Sequence, residues 1–173
     1  MIVIDNFLPP SFHNDLVHLL VEGERFPWYY CNSVTNTEQS DDSYYFAHLA
    51  LESDEQGCEQ TQFFEHIRPM LYFIEDKAKF RLNNLMRVKC GLYPNIGYAK
   101  KNRWHTDREE NHYVGLYYVN STDGPTDIGD TSVECVANRF VLFDGSISHR
   151  STHPTNVKGR INININMHGF FIE

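Results

Sequence analysis

From Arg160 to Asn166 polar and apolar residues alternate without a break: Arg160, Ile161, Asn162, Ile163, Asn164, Ile165, Asn166. A period of two is the mark of an extended strand, whose successive side chains point to opposite faces. One face carries three isoleucines, the other an arginine and three amides. Such a strand needs a sheet with two unlike environments. Either the amide face meets solvent, as in an ordinary sandwich, or it lines an internal pocket. The same period recurs from residue 86 onward, with candidate strands at 86–93, 97–104, 112–120, 131–136, 139–144 and 160–167. Turn signals separate them at Pro94-Asn95, Asp123-Gly124-Pro125, Gly129-Asp130 and Asp144-Gly145.

The first half reads differently. Ile2-Val3-Ile4 forms a short strand, and Ser11 is placed to cap a helix over 11–24 through Phe12, Leu16, Leu19 and Leu20. Phe63, Ile67, Met70, Leu71, Ile74, Ala78 and Leu82 predict a longer helix over 59–84, kinked or divided at Pro69 and ended by Asn83-Asn84. Residues 29–57 are polar and turn-rich, with the run Asn36–Asp42 and one strand-like stretch, Tyr44-Tyr45-Phe46. This segment reads as a loop over a site or as a surface excursion. Helices followed by six short strands predict an α+β, mainly β, single domain over 1–173. Helical support would fill 1–85, packed on one outer face of a sandwich or barrel core at 86–173.

A chain of 173 residues with 41% hydrophobic content fills one core and is not disordered. A net charge of -8 argues against broad binding to nucleic acid or anionic membrane. No apolar run reaches the roughly 18–20 residues of a membrane span. The opening Met1–Pro10 lacks a basic segment followed by an apolar one, so a cytoplasmic protein without a secretion signal is expected. Cys31, Cys58, Cys90 and Cys135 are widely spaced and are expected as free, buried thiols.

Chemistry concentrates at Arg103-Trp104-His105-Thr106-Asp107. Residues i and i+2 of a strand share a face about 7 Å apart. His105 and Asp107 can therefore present an imidazole and a carboxylate to one metal ion. A third ligand is needed, and the segment Phe143–His149 offers His149, with His153 as a rival. Two histidines and one carboxylate on one face of an ion suit non-haem Fe(II), leaving positions open for co-substrate and O2. A second H-x-D, His13-Asn14-Asp15, falls in the first predicted helix, where i and i+2 diverge, and reads as helix surface. Arg160, if its face lines a pocket, suits a carboxylate gripped through parallel hydrogen bonds. Trp104 should point away from His105 into packing. His112 reads as exposed, and His48, His66 and His168 as surface or satisfied core residues. Lys100, Lys101, Arg103 and Arg108 read as a solvated edge or a substrate contact.

Leu92-Tyr93-Pro94, Gly97-Tyr98, Trp104–Asp107, Tyr117-Tyr118-Val119-Asn120, Asn138–Ser146, His149 and Gly159-Arg160 occur in an order that resembles the Fe(II)- and 2-oxoglutarate-dependent dioxygenases, in particular their prolyl-4-hydroxylase-like branch. The resemblance covers about residues 86–167 and, more loosely, the N-terminal strand and long helix. It implies a double-stranded β-helix (jelly roll) core with the N-terminal helices packed on the major sheet. It implies Fe(II) on His105, Asp107 and His149, and 2-oxoglutarate with its distal carboxylate on Arg160 and with Tyr93, Tyr118 and Asn162 around it. The implied reaction is hydroxylation of an unactivated C–H bond with release of succinate and CO2. A peptidyl proline is the first substrate suggested, and a free amino acid or small metabolite the second. The pattern departs in three places. Pro154 stands five and Arg160 eleven residues after His149, one more than is usual in each case. Asn162 replaces a common serine, and Ile128-Gly129-Asp130-Thr131 matches a Gly-Gly-x-Thr turn only in part. The competing readings are a non-catalytic jelly-roll metal-binding module and a cupin-like zinc or iron enzyme that does not use 2-oxoglutarate. The oligomeric state is not readable from the sequence.

Overall fold

The computed structural model describes residues 1–34, 43–54 and 56–172. The chain begins with β1 (Ile2–Ile4) and α1 (Pro10–Val17), which continues into a π-helical turn at His18–Glu22. Next come β2 (Tyr29–Cys31), β3 (Tyr45–Asp54), β4 (Gly57–Gln60), α2 (Phe64–Ile67) and α3 (Met70–Ala78). Strands then follow: β5 (Phe80–Pro94), β6 (Tyr113–Tyr118), β7 (Thr122–Ile128), β8 (Thr131–Cys135), β9 (Arg139–Asp144), β10 (His149–Ser151) and β11 (Gly159–Phe171).

A large antiparallel sheet has the order β1-β9-β6-β11-β5-β3-β2, with β4 paired on β3, and a small sheet has the order β10-β7-β8. Alternation divides the residues of the large sheet between two packed layers. Ile161, Ile163 and Ile165 join Val88 and Cys90 against Leu16, Leu20, Ile67, Met70 and Ile74 of the helical layer. On the opposite face Val114, Leu116, Tyr118, Val141 and Phe143 pack against Ile128, Val133 and Cys135 of the small sheet. This is the expected jelly roll, mainly β, with helices on the outer face of the major sheet. Both faces of β11 are buried, so the amide row Asn162, Asn164 and Asn166 looks into the roll and not into water.

Several local expectations give way. The helix predicted to 84 stops at Ala78, where Lys79 takes a left-handed conformation (φ 52°). Leu82 and Asn83-Asn84 then belong to β5, because residues 80–94 have a full-length partner in β11. Pro69 does divide the helical region, standing just before α3. The first helix starts at Pro10, so Ser11 is inside it and caps nothing. No strand covers 97–104; only isolated bridges at Lys101–Thr152 and His105–His149 hold that stretch. The 29–57 segment contributes β2 and β3 to the sheet, and the Asn36–Asp42 run lies outside the described residues. His13 is not plain helix surface, since its Nδ1 meets the Tyr117 hydroxyl at 2.6 Å. All four cysteines are free, but only Cys90 and Cys135 are buried. Among the described residues no helix is long and apolar enough to cross a membrane.

Candidate metal and co-substrate site

His105 and His149 are brought together by backbone. Each donates its amide to the other's carbonyl, at 3.0 and 2.9 Å, the geometry of a hydrogen-bonded antiparallel pair. Asp107 lies two residues beyond His105 and turns its carboxylate to the same point. One ligand atom from each of His105, Asp107 and His149 lies within 4.8 Å of the other two. The His105 Nδ1 lies 3.1 Å from the Arg103 carbonyl and the His149 Nδ1 3.4 Å from the Ile147 carbonyl. Donation there fixes Nδ1–H and leaves Nε2 as the lone-pair nitrogen. The His149 Nε2 is 3.7 Å from Asp107 Oδ2. His153 is not part of this group; its Nδ1 bonds to the Pro94 carbonyl at 2.8 Å.

The carboxylate is held from three sides. Asn164 and Asn166 each donate an amide N–H to Asp107 Oδ2 at 3.0 Å, and an Arg87 Nη2 lies 2.8 Å from Oδ1. Burial alone would raise the Asp107 carboxyl. Arg87, Lys89, His149 and the Asn166 bond outweigh it and hold the group well below the usual carboxylate range. Burial pushes His149 down to about 4, with Asp107 opposing and His105 assisting. Both groups therefore stand ready as ligands at neutral pH, a carboxylate and a neutral imidazole.

Below this group the cavity is lined by Tyr93, Thr126, Ser151, Arg160 and Asn162. Arg160 is fully buried. One Nη donates to Thr126 Oγ1 at 2.6 Å, while Nε and the other Nη have no hydrogen-bond partner among the described residues. The guanidinium lies 5.1 Å from the Tyr93 ring centre and 5.4 Å from that of Tyr118. The Tyr118 hydroxyl donates to Thr126 Oγ1 at 2.8 Å. A buried cation with open donors between aromatic walls fits a carboxylate. Gly91, opposite Asn162 in the sheet, keeps the wall thin; a Cβ there would stand 2.9 Å from Asn162 Oδ1 and 3.1 Å from the Tyr93 ring.

Sequence reasoning missed Arg87, Lys89 and Thr126 as site residues, and it placed Asn164 and Asn166 on the Arg160 face without giving them a role. The unbroken alternation of β11 was a usable signal for the two asparagines, since they share the Arg160 face. Arg87 and Lys89 share the Tyr93 face of β5 by the same rule. Thr126 had no signal, because 122–128 reads as a turn. Trp104 is 44% exposed and stacks with Arg150, 4.4 Å from its ring centre, instead of packing inward. Its segment is not part of a sheet, so it has no layer to pack into. His112 is buried with Nδ1 at 2.7 Å from the Glu110 carbonyl, and His48 is a satisfied core histidine bonded to Pro27 and Thr61. Of the basic residues near the mouth, Lys101 pairs with Asp127 and Arg108 with Glu52.

Fold and ligand group together define a jelly-roll chain with a two-histidine, one-carboxylate centre. Solved structures of this fold share it along nearly the whole chain. An oxidoreductase of the 2OG-Fe(II) oxygenase family from Burkholderia pseudomallei matches with a TM-score of 0.69 at 9% identity, over 98% of this chain and 86% of that one. A prolyl hydroxylase from Trichoplax adhaerens, in complex with a hypoxia inducible factor peptide fragment, matches at 0.62 and 15%, over 96% and 82%. A Pseudomonas putida prolyl-4-hydroxylase matches at 0.59 and 14%, over 99% and 92%. No protein-family model matches the sequence, and no curated protein matches it.

Proposed function

We propose that this chain is an Fe(II)- and 2-oxoglutarate-dependent dioxygenase that hydroxylates an unactivated C–H bond. The observation that carries the reading is the pairing, in one cavity, of a His105/Asp107/His149 group with a buried Arg160 that has donors to spare. The donor set is the one that suits Fe(II) with open coordination positions. With iron and 2-oxoglutarate bound, the chemistry available is O2-driven decarboxylation of the co-substrate to succinate and CO2, the second oxygen atom entering the substrate C–H bond.

The chain's own residues orient and enclose. Arg160 binds the distal carboxylate, with Thr126 holding the guanidinium in place and Tyr93 and Tyr118 excluding water from it. Asn162 offers an amide beside the co-substrate. Asn164, Asn166 and Arg87 keep the Asp107 carboxylate ionised and aimed. A peptidyl proline is the substrate that the likeness to prolyl hydroxylases suggests for this chain, and a free amino acid or small metabolite is the alternative.

The test is an anaerobic titration of Fe(II)-loaded protein with 2-oxoglutarate, followed by the weak visible charge-transfer band of a bidentate 2-oxo acid. A band that vanishes in His105→Ala and needs far more 2-oxoglutarate in Arg160→Ala supports the reading. Metal binding without a band would point to a cupin-like enzyme, and no metal binding to a non-catalytic module whose metal site is degenerate.

A further inference from the structure

The cavity carries more positive charge than its expected contents use. Lys89 lines it together with the metal-ligand group and Arg160. Its place is set by register: Lys89 is the sheet partner of Asn164, whose amide holds Asp107, while Arg160 pairs with Tyr93 four residues further along β5. Lys89 therefore stands at the level of the metal group, about 13 Å along the strand from the Arg160 level. Among the described residues it has no hydrogen-bond or ion-pair partner, only the Tyr45 ring 5.8 Å from its Nζ. Of the two carboxylates near it, Asp107 is already engaged by Arg87 and the two asparagines, and Glu52 by Arg108.

A charge count sharpens the point. Lys89, Arg160 and Asp107 line the cavity, Arg87 is paired with Asp107, and the nearby Glu52 is already paired with Arg108. A divalent ion and the 2-oxoglutarate dianion cancel one another, so loading the site leaves two positive charges in excess. Arg87 is paired in charge with Asp107, and Arg160 would meet the distal carboxylate of the co-substrate, so the two charges left over fall on the metal group and on Lys89. Lys89 is the side-chain cation left without a counter-charge, at the Asn164 level of the cavity and four residues of β5 from Tyr93, the partner of Arg160. Uncompensated charge in an enclosed site is costly, and an anion brought by the ligand relieves it.

We infer that Lys89 is the anchor for a carboxylate on the substrate, so that this chain acts on an acidic molecule and not on an uncharged peptide segment. The inference rests on the dioxygenase reading and narrows its substrate class. The carboxylate has two sources: the α-carboxylate of a free amino acid, or an acidic side chain beside the reacting residue of a peptide.

The experiment starts from the anaerobic protein loaded with Fe(II) and 2-oxoglutarate, whose charge-transfer band reports that the site is assembled. The probes are the free L-amino acids against their amides, and acetyl-Gly-Pro-Asp-amide against acetyl-Gly-Pro-Asn-amide. Binding is read by calorimetry and by perturbation of the band. The expected result is that at least one carboxylate probe binds about tenfold or more tightly than its amide. That preference disappears in Lys89→Met and survives in Lys89→Arg. Preference among free amino acids identifies the first source, preference for the Asp peptide the second. If every acid and its amide bind alike, or none binds, the inference falls while the dioxygenase reading stands. If Lys89→Met keeps the preference, Lys89 is not the anchor. If the band never forms, the dioxygenase reading fails and takes this inference with it.

Discussion

The rings of His105 and His149 lie 4.6 Å apart because their backbones exchange two hydrogen bonds across an antiparallel bridge. Their spacing is thus set by main chain and needs no ion to create it. Metal should bind a site already formed. At about 100 times Kd a ligand that binds only the folded state adds about 2.7 kcal/mol, worth about 5–10 °C of Tm for a chain of this size. Thermal unfolding with Fe(II) under anaerobic conditions should show that rise without a change in far-UV circular dichroism. His105→Ala should abolish the rise.

Asn166 donates to the Asp107 carboxylate and is not itself one of the three candidate ligands. Replacing it with leucine should weaken Fe(II) or Co(II) binding about 10- to 100-fold, as for other groups that orient metal ligands. Chelator competition measures this. An unchanged affinity would show that Arg87 and Asn164 suffice to aim Asp107.

Arg160→Ala removes the buried cation below the metal group. The KM for 2-oxoglutarate should rise about 10- to 100-fold, the cost of losing a charge-assisted hydrogen-bonded pair. Fe(II) affinity should be unchanged, because Arg160 makes no contact with the ligand group. Steady-state kinetics paired with metal titration separate the two effects.

Ile163, one residue from Asn162 and Asn164, is fully buried against the helical layer. Ile163→Ala should cost about 2–5 kcal/mol of stability through lost burial and a cavity. Chemical denaturation would show it, and metal affinity per folded molecule should not move.

His48 gives a pH dependence remote from the site. Burial lowers its pKa below the ordinary 6.5, the bond to the Pro27 carbonyl opposing only in part. The unfolded chain therefore takes up this proton before the folded one does. The His48 contribution is complete above about pH 6.5 and is lost as the pH falls below it. Urea midpoints from pH 8 to pH 5.5 should decline, and His48→Gln should flatten that part of the decline.

What could be read from the sequence follows the strength of its periodicities. The β11 alternation is unbroken, and it located Arg160 and the amide row on one face. Strand 139–144 was read to the residue, since Arg139–Asp144 is bounded by Asn138 (φ 61°) and a turn at Asp144-Gly145. Leu82 misled because it continues the helical spacing of Ile74 and Ala78, while long-range pairing with β11 decides its conformation. β7 was hidden by Asp123-Gly124-Pro125, which reads as a turn but lies in a strand paired with both β8 and β10. Local chemistry proposed His105, Asp107 and His149. Arg87, which pairs with Asp107, and Thr126, which holds Arg160, come from distant strands that only the tertiary structure places nearby.

Because both faces of β11 are enclosed, its reading frame couples two otherwise separate properties. A one-residue slip of this strand would drive the Arg160 guanidinium into the helical core and turn the isoleucines toward the ligand carboxylate. Insertions or deletions within 160–166 should therefore never yield a stable but inactive protein; fold and chemistry would be lost in the same event. Between His149 and Arg160, changes of length have room only at 155–158, since Thr152, His153 and Pro154 are buried; the spacing there is already one residue longer than the resembling pattern.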